Sequence, residues 1–292
     1  MSVCLLFRSC ERSVGLFSTR GRSVGLFSTR GRSVGLFSTR GRSVGLFGTV
    51  GARAMSGTGT VEAPLYERWT ELCSRDMVRT AEASQAWWRV VKDRYCEPWR
   101  FYHNLSHVHS MFLHFDNHRH KIQNQNAVAW AIFFHDIVYD AKASDNEARS
   151  AEMFHHFATE NLQKPPDCIR ETERLILLTK EHVTKEHRNK DRYGTKDKHY
   201  FLDFDMSVLG WPEQDYDVYA EQIRQEYVHI PLDQYRERRA KFLKKTLSEV
   251  TNIFSTEEFR EQFEQQARQN LHREIQHLQA INVTLGLELP AT

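Results

Sequence analysis

An apolar run from Ala131 to Asp140 carries a histidine and an aspartate side by side, His135 and Asp136. A segment this hydrophobic is expected to be buried, and there an imidazole and a carboxylate need partners, because unpaired buried polar groups are costly. A divalent cation is one such partner, since His with Asp suits borderline or hard metals. An ordinary hydrogen-bonded core pair is the other. A second segment, Tyr102-His103-Asn104-Leu105-Ser106-His107-Val108, sets two imidazoles four residues apart. On a helix these share a face and can serve one site. The flanking Tyr102, Leu105 and Val108 imply partial burial, whereas His114, His118 and His120 read as surface histidines. The third segment, Phe201 to Gly210, holds Asp203 and Asp205 among apolar residues. Such carboxylates must be paired, hydrogen-bonded or metal-bound. A helix-capping role fits Asp203 better than Asp205.

The segments that must position these side chains read as helices throughout. Amphipathic spacing predicts helices over 67–79 and 82–95, ended by Pro98, and over 104–118. The stretch 126–139 is apolar on all sides, as a buried central helix should be. Ser144-Asp145-Asn146-Glu147 resembles a helix start, and Pro165-Pro166-Asp167 opens another helix running to about Glu181. A polar loop rich in Lys, Arg and His follows over 184–199. Further helices are predicted over 200–209, 212–229, 232–250 and 255–281. No sustained period-two alternation and no Asn-Gly or Asp-Gly hairpin is present. The expectation is an all-α domain over residues 61–285, a bundle of about nine or ten helices, followed by a tail at 286–292.

Residues 1–60 differ in kind. Glu11 to Arg20 recurs almost unchanged at 21–30, 31–40 and 41–50. A ten-residue period is too short for a solenoid unit, and as a helix it would turn its Leu-Phe pair by roughly 80° per repeat, so that no apolar face forms. The segment reads as disordered. It holds nine Arg, no Lys and a single acid, a charge of +8. Arg-rich, Ser-rich, acid-poor composition is that of a mitochondrial transit peptide, while near-identity of the repeats equally fits a low-complexity expansion. Localisation is therefore expected to be mitochondrial or cytoplasmic. With +2 for the whole chain, the remainder carries −6, which argues against a general nucleic-acid-binding surface. Five scattered cysteines without CxxC spacing suggest free thiols. No apolar run approaches the ~20 residues of a membrane span, so a soluble protein without membrane contact is expected.

Taken together, the three polar segments resemble the HD-domain metal-dependent phosphohydrolase superfamily, whose order is His, then His-Asp, then a distant Asp. The stretch from Arg94-Tyr95-Cys96-Glu97-Pro98 through Tyr227 is similar to an uncharacterised branch of predicted HD phosphohydrolases. That resemblance covers nearly all of residues 63–280, including Asp145-Asn146-Glu147, Ile223 to Tyr227 and Ala267 to Leu271. It implies an enzyme that hydrolyses a phosphoester of a nucleotide or similar small phosphorylated metabolite, using a water bound to a divalent metal. The metal ligands it implies are His107, His135, Asp136 and Asp205, a donor set open to Mn, Mg, Fe, Co or Zn. Tyr-His-Asn-x-x-His is also similar to a motif of cyclic-nucleotide phosphodiesterases, which makes His103 the expected general acid. For a second metal or a substrate contact the candidates are His182, Glu147 and Asp140. Cationic or hydrogen-bonding contacts to an anionic substrate are expected from Arg100, Lys180, Arg224 and Tyr227, with Arg239 a further cation. Arg224 also fits a buried structural pairing with Glu226 or another acid. Two other readings stand beside this one: a di-iron oxygenase of the same fold, and a non-catalytic binding or regulatory domain.

Overall fold

In a computed structural model, which describes residues 59–163 and 166–286, the apolar spacing of the chain becomes helices and turns with no strand among the described residues. The repeat segment and the tail beyond Gly286 lie outside them. In chain order the helices are α1 (Gly59–Arg75), α2 (Ala81–Tyr95), α3 (Leu105–His118), α4 (Gln125–Phe134), α5 (Asn146–Asn161) and α6 (Pro166–Leu178). Then come α7 (Asp197–Met206), α8 (Glu213–Glu226), α9 (Leu232–Glu249), the short α10 (Glu257–Phe259) and α11 (Gln265–Gly286). A π-helical turn, Arg260–Glu264, joins α10 to α11, so these two act as one rod and the described bundle has ten helical bodies. This is the all-α class expected.

The organising element is α4. Every residue from Ala127 to Phe134 is buried, and α3, α5, α6 and α7 all pack on it. Its aromatic side meets Trp69 of α1, with Trp69 edge-on to Trp130 at 5.2 Å and to Phe133 at 5.3 Å. Phe134 stacks on Phe157 of α5 at 5.3 Å. Aromatic pairs of this geometry add to the gain from burying their area. Trp130 keeps its indole N–H satisfied by Asp76 at 2.8 Å.

Two helix ends differ from the sequence expectation, and both set the site. α4 stops at Phe134, so His135 and Asp136 lie in the turn that follows rather than in mid-helix. Arg100 donates to the carbonyls of Asp136 (2.5 Å) and Ile137 (2.9 Å) and so satisfies acceptors that a continuing helix would have used. Likewise α3 begins at Leu105, where Asn104 is the N-cap and accepts from the Ser106 N–H at 2.8 Å. An Asn at this position satisfies one of the free N–H groups of the first turn. His103 therefore precedes the helix, His107 lies in its first turns, and the two are not neighbours on one helical face. The polar loop before α7 is stitched down rather than free. Gly194 N–H donates to Ser255 O at 2.8 Å, and Arg260 donates to the carbonyls of Glu186, Lys190 and Arg192.

Candidate metal centre

Four turns or helix segments bring their imidazoles and carboxylates to one point. His107 of α3, His135 from the turn after α4 and Asp205 of α7 are all buried, and their ligand atoms lie within 4.8 Å of one another. His107 Nε2 is 3.1 Å from both His135 Nε2 and Asp205 Oδ1. His135 Nε2 is 3.8 Å from Asp205 Oδ1. Asp136 approaches the same His135 nitrogen, Oδ2 at 3.1 Å, but is not one of the three mutually close donors.

These spacings suit a cation. Two donors each about 2.1 Å from a metal and at right angles are about 3.0 Å apart, close to the two 3.1 Å separations among the three donors, the third being 3.8 Å. The tautomer is also set: His135 donates from Nδ1 to Ile132 O at 3.0 Å, which turns the Nε2 lone pair inward. A second hydrogen bond of this kind is how metal-binding histidines are ordinarily oriented. The charges in the cluster call for a positive partner. Burial alone would keep His135 neutral, yet Asp136 and Asp205 hold it up to about 9. Burial pushes the Asp205 carboxyl upward, but His107 and His182 outweigh it and hold the group well below the usual carboxylate range. Asp136 is held low in the same sense, by His135 and His103 against burial. For His107 burial prevails over the pull of Asp205 and lowers the imidazole. A proton on His135 is thus the protein's own means of balancing two buried carboxylates, and a divalent cation would take its place with release of that proton.

His103 stands beside the cluster, its Nε2 4.0 Å from Asp136 Oδ2. Its other nitrogen, Nδ1, is 2.6 Å from Glu226 Oε2. Glu226 is the residue that sequence reasoning passed over in this role. From the end of α8 it also accepts the backbone N–H groups of Tyr102 and His103, at 2.8 and 3.0 Å, and the Tyr139 hydroxyl at 2.6 Å. Tyr139 stacks on the His103 ring at 4.3 Å. Burial lowers the His103 imidazole, but Glu226, Asp136 and Asp205 outweigh it and raise the group above its ordinary value.

His182 reaches the centre from the turn after α6. Its Nε2 is 2.5 Å from Asp205 Oδ2, and its backbone is left-handed, φ 53°. A non-glycine residue in that region costs about 1 kcal/mol or more, a strain retained while the imidazole is aimed at Asp205. The remaining candidates lie elsewhere. Glu147 is buried in α5 and not among the converging donors. Asp140 is exposed, and its carboxylate accepts the Lys142 N–H within its own turn. The substrate contacts need correction. Arg100 is fully enclosed, with Nε on Glu97 and both terminal nitrogens on main-chain carbonyls. Arg224 closes the end of α8 through the carbonyls of Tyr227 and Ile230 and lies over the Tyr235 ring, rather than pairing with Glu226. Tyr227 is 1% exposed and belongs to the core. Arg239 is paired with Glu274 at 2.7 Å. Lys180 alone of the named contacts is exposed, two residues before His182.

Comparison with protein-family models, with curated proteins and with solved structures finds no match.

Proposed function

We propose that this chain is a metal-dependent phosphohydrolase of the HD-domain type, acting on a phosphoester of a nucleotide or a similar small phosphorylated metabolite. The observation that carries the reading is the convergence of His107, His135 and Asp205, with Asp136 on the same His135 nitrogen. A divalent cation held by these residues would supply a Lewis acid for phosphoryl oxygens and would lower the pKa of a bound water.

The chain's own groups account for the proton that the leaving oxygen needs. Glu226 fixes His103 through Nδ1, so the ring presents Nε2 to the cluster. The neighbouring carboxylates keep the imidazole protonated at higher pH than usual, which is the state a general acid requires before transfer. Tyr139 fixes Glu226 and covers the His103 ring. His103 then gives its Nε2 proton to the oxygen that leaves phosphorus. Arg100 holds the turn that carries His135 and Asp136, and Lys180 is the cation left to meet substrate charge.

Metal analysis of the full chain tests this together with a phosphate-release screen on nucleoside monophosphates in Mn, Mg or Co. About one divalent ion per chain is expected, reduced sharply in Asp136→Ala, with phosphate release abolished in His135→Ala. His103→Ala should keep its metal and lose roughly 10²-fold or more in kcat. Two irons per chain would favour the oxygenase. Bound metal without phosphate release under any of these ions would overturn the enzyme reading in favour of a binding domain.

A further inference from the structure

Where a helix closes on a left-handed residue, that residue is usually Gly or Asn. The turn after α6 closes in this way: the His182 N–H donates to Leu178 O at 3.1 Å, and φ at His182 is 53°. A histidine occupies the position instead, and it is 2% exposed. The turn itself gains nothing from an imidazole, so the reason for one lies in what the ring touches.

Among the described residues the ring has a single polar contact. Nδ1 is buried with no hydrogen-bond partner, while Nε2 is 2.5 Å from Asp205 Oδ2. A carboxylate only accepts, so Nε2 carries the proton of this bond. A nitrogen that directs its proton at Asp205 has no lone pair to offer a cation, and His182 is not one of the three mutually close donors. The two oxygens of Asp205 are thereby divided. Oδ1 faces the centre, 3.1 Å from His107 Nε2 and 3.8 Å from His135 Nε2, and Oδ2 is taken by His182. A carboxylate can hold a cation through one oxygen or through both. Ca²⁺ surrounds itself with about six to eight oxygens and gains from the second, whereas smaller divalent ions are satisfied by fewer ligands.

We propose that His182 is a positioning residue of the metal centre: its Nε2–H holds Asp205 so that the carboxylate meets a cation through Oδ1 alone, which favours a small divalent ion over Ca²⁺. His182 is then neither a ligand of a second metal nor a substrate contact, and its place in the left-handed turn is explained by the reach of its ring. The proposal rests on the reading of His107, His135 and Asp205 as a metal centre, and not on which reaction the metal serves. Hydrogen-bonding partners behind a metal ligand commonly change metal affinity by about tenfold to hundredfold.

Two measurements on the full chain test this. In ¹⁵N-histidine-labelled protein loaded with Zn²⁺, the Nε2 resonances of His107 and His135 should shift as metal ligands do, and His182 Nε2 should keep the one-bond coupling to its proton. The substitutions compare two amides that differ in reach. The amide nitrogen of Gln overlays the Nε2 position of His, that of Asn only the Nδ1 position, and Asn tolerates the left-handed turn. His182→Asn should weaken Mn²⁺ binding, followed by the electron paramagnetic resonance of the free ion, by about tenfold or more, and His182→Gln should stay within about threefold of the unaltered chain. Because Asn releases Oδ2, the preference for Mn²⁺ over competing Ca²⁺ should narrow by about fivefold or more in His182→Asn. No uptake of Mn²⁺ or Zn²⁺ by the unaltered chain overturns the metal centre and this proposal with it. Loss of the His182 Nε2 proton on Zn²⁺ loading, equal Mn²⁺ affinities in the folded Asn and Gln variants, or an unchanged preference over Ca²⁺ in His182→Asn overturns the proposal alone and leaves the metal centre standing.

Discussion

Asp203 and Asp205 stand two residues apart on α7, both buried, at 1% and 5% exposure. They point to different neighbourhoods, as two residues about 200° apart on a helix must. Asp203 is saturated by one partner segment. Its two oxygens accept the N–H groups of Ser255 and Thr256, at 2.9 and 2.8 Å, and their hydroxyls at 3.1 and 2.6 Å. It thereby closes the start of α10 and ties α7 to the rod that follows. Among the described residues Asp205 accepts no hydrogen bond from a hydroxyl or a backbone N–H group; its close neighbours are the ring nitrogens of His107, His135 and His182. A carboxylate surrounded by imidazoles could hold a metal ion with them, and a carboxylate surrounded by fixed main-chain and hydroxyl donors is a joint. The difference lies in which groups face each one, since residue type, burial and helix are shared.

The largest effect that should separate them is on stability. Asp203→Ala leaves two backbone N–H groups and two hydroxyls without their acceptor, and is expected to cost about 3–5 kcal/mol in urea unfolding. The folded fraction should bind metal as the unaltered chain does. If metal is lost while stability holds, the assignment of Asp203 as a joint is wrong. Asp205→Ala should behave in the opposite way, weakening metal by more than about hundredfold, or about 2.7 kcal/mol, and changing metal-free stability by less than the Asp203 substitution does. Metal at 100 times its Kd should raise the stability of the unaltered chain by about 2.7 kcal/mol and that of Asp205→Ala by almost nothing. Equal thermal shifts on metal addition in the two proteins would refute the assignment of Asp205 as a ligand.

Much of this was legible in the amino-acid order. The periodicity of α3 and the all-round apolarity of α4 reported the bundle, because a helix buried on every side can contain little else. A capping role was already the better fit for Asp203, since a carboxylate near a helix can satisfy free N–H groups. The fine placement was not legible, because it depends on contacts between distant segments. Glu226 meets His103 across 123 residues, and nothing local to either residue announces the pair. The turn after α4 is held by Arg100, 36 residues upstream of the carbonyl it takes. Positive charge in Arg100 and Arg224 looked suited to a phosphate. Main-chain carbonyls at helix ends compete for the same guanidinium donors, and in both cases they have them.

The smallest predicted effect, a pH dependence, probes the same pair directly. Burial raises the Asp203 carboxyl from 3.8 to about 7 against the pull of its four donors, whereas Asp205 is held below its ordinary value. The fold therefore favours the protonated form of Asp203, and the unfolded chain gives up that proton near pH 4. Between pH 4 and 7 the native state binds the extra proton, so the stability contributed by Asp203 is full below about pH 4 and is lost as pH rises through 7. Asp205 works the other way, its contribution being present above about pH 4 and lost as pH falls below it. Chelator-treated protein should show carboxyl ¹³C titrations with a midpoint near 7 for Asp203 and none above 3.8 for Asp205. Urea-unfolding free energies between pH 5 and 7 should carry an Asp203 component of at most about 1.4 kcal/mol per pH unit, absent in Asp203→Asn. A shared midpoint near 4 would mean that the two carboxyls feel the same surroundings, and the distinction between joint and ligand would have no electrostatic basis.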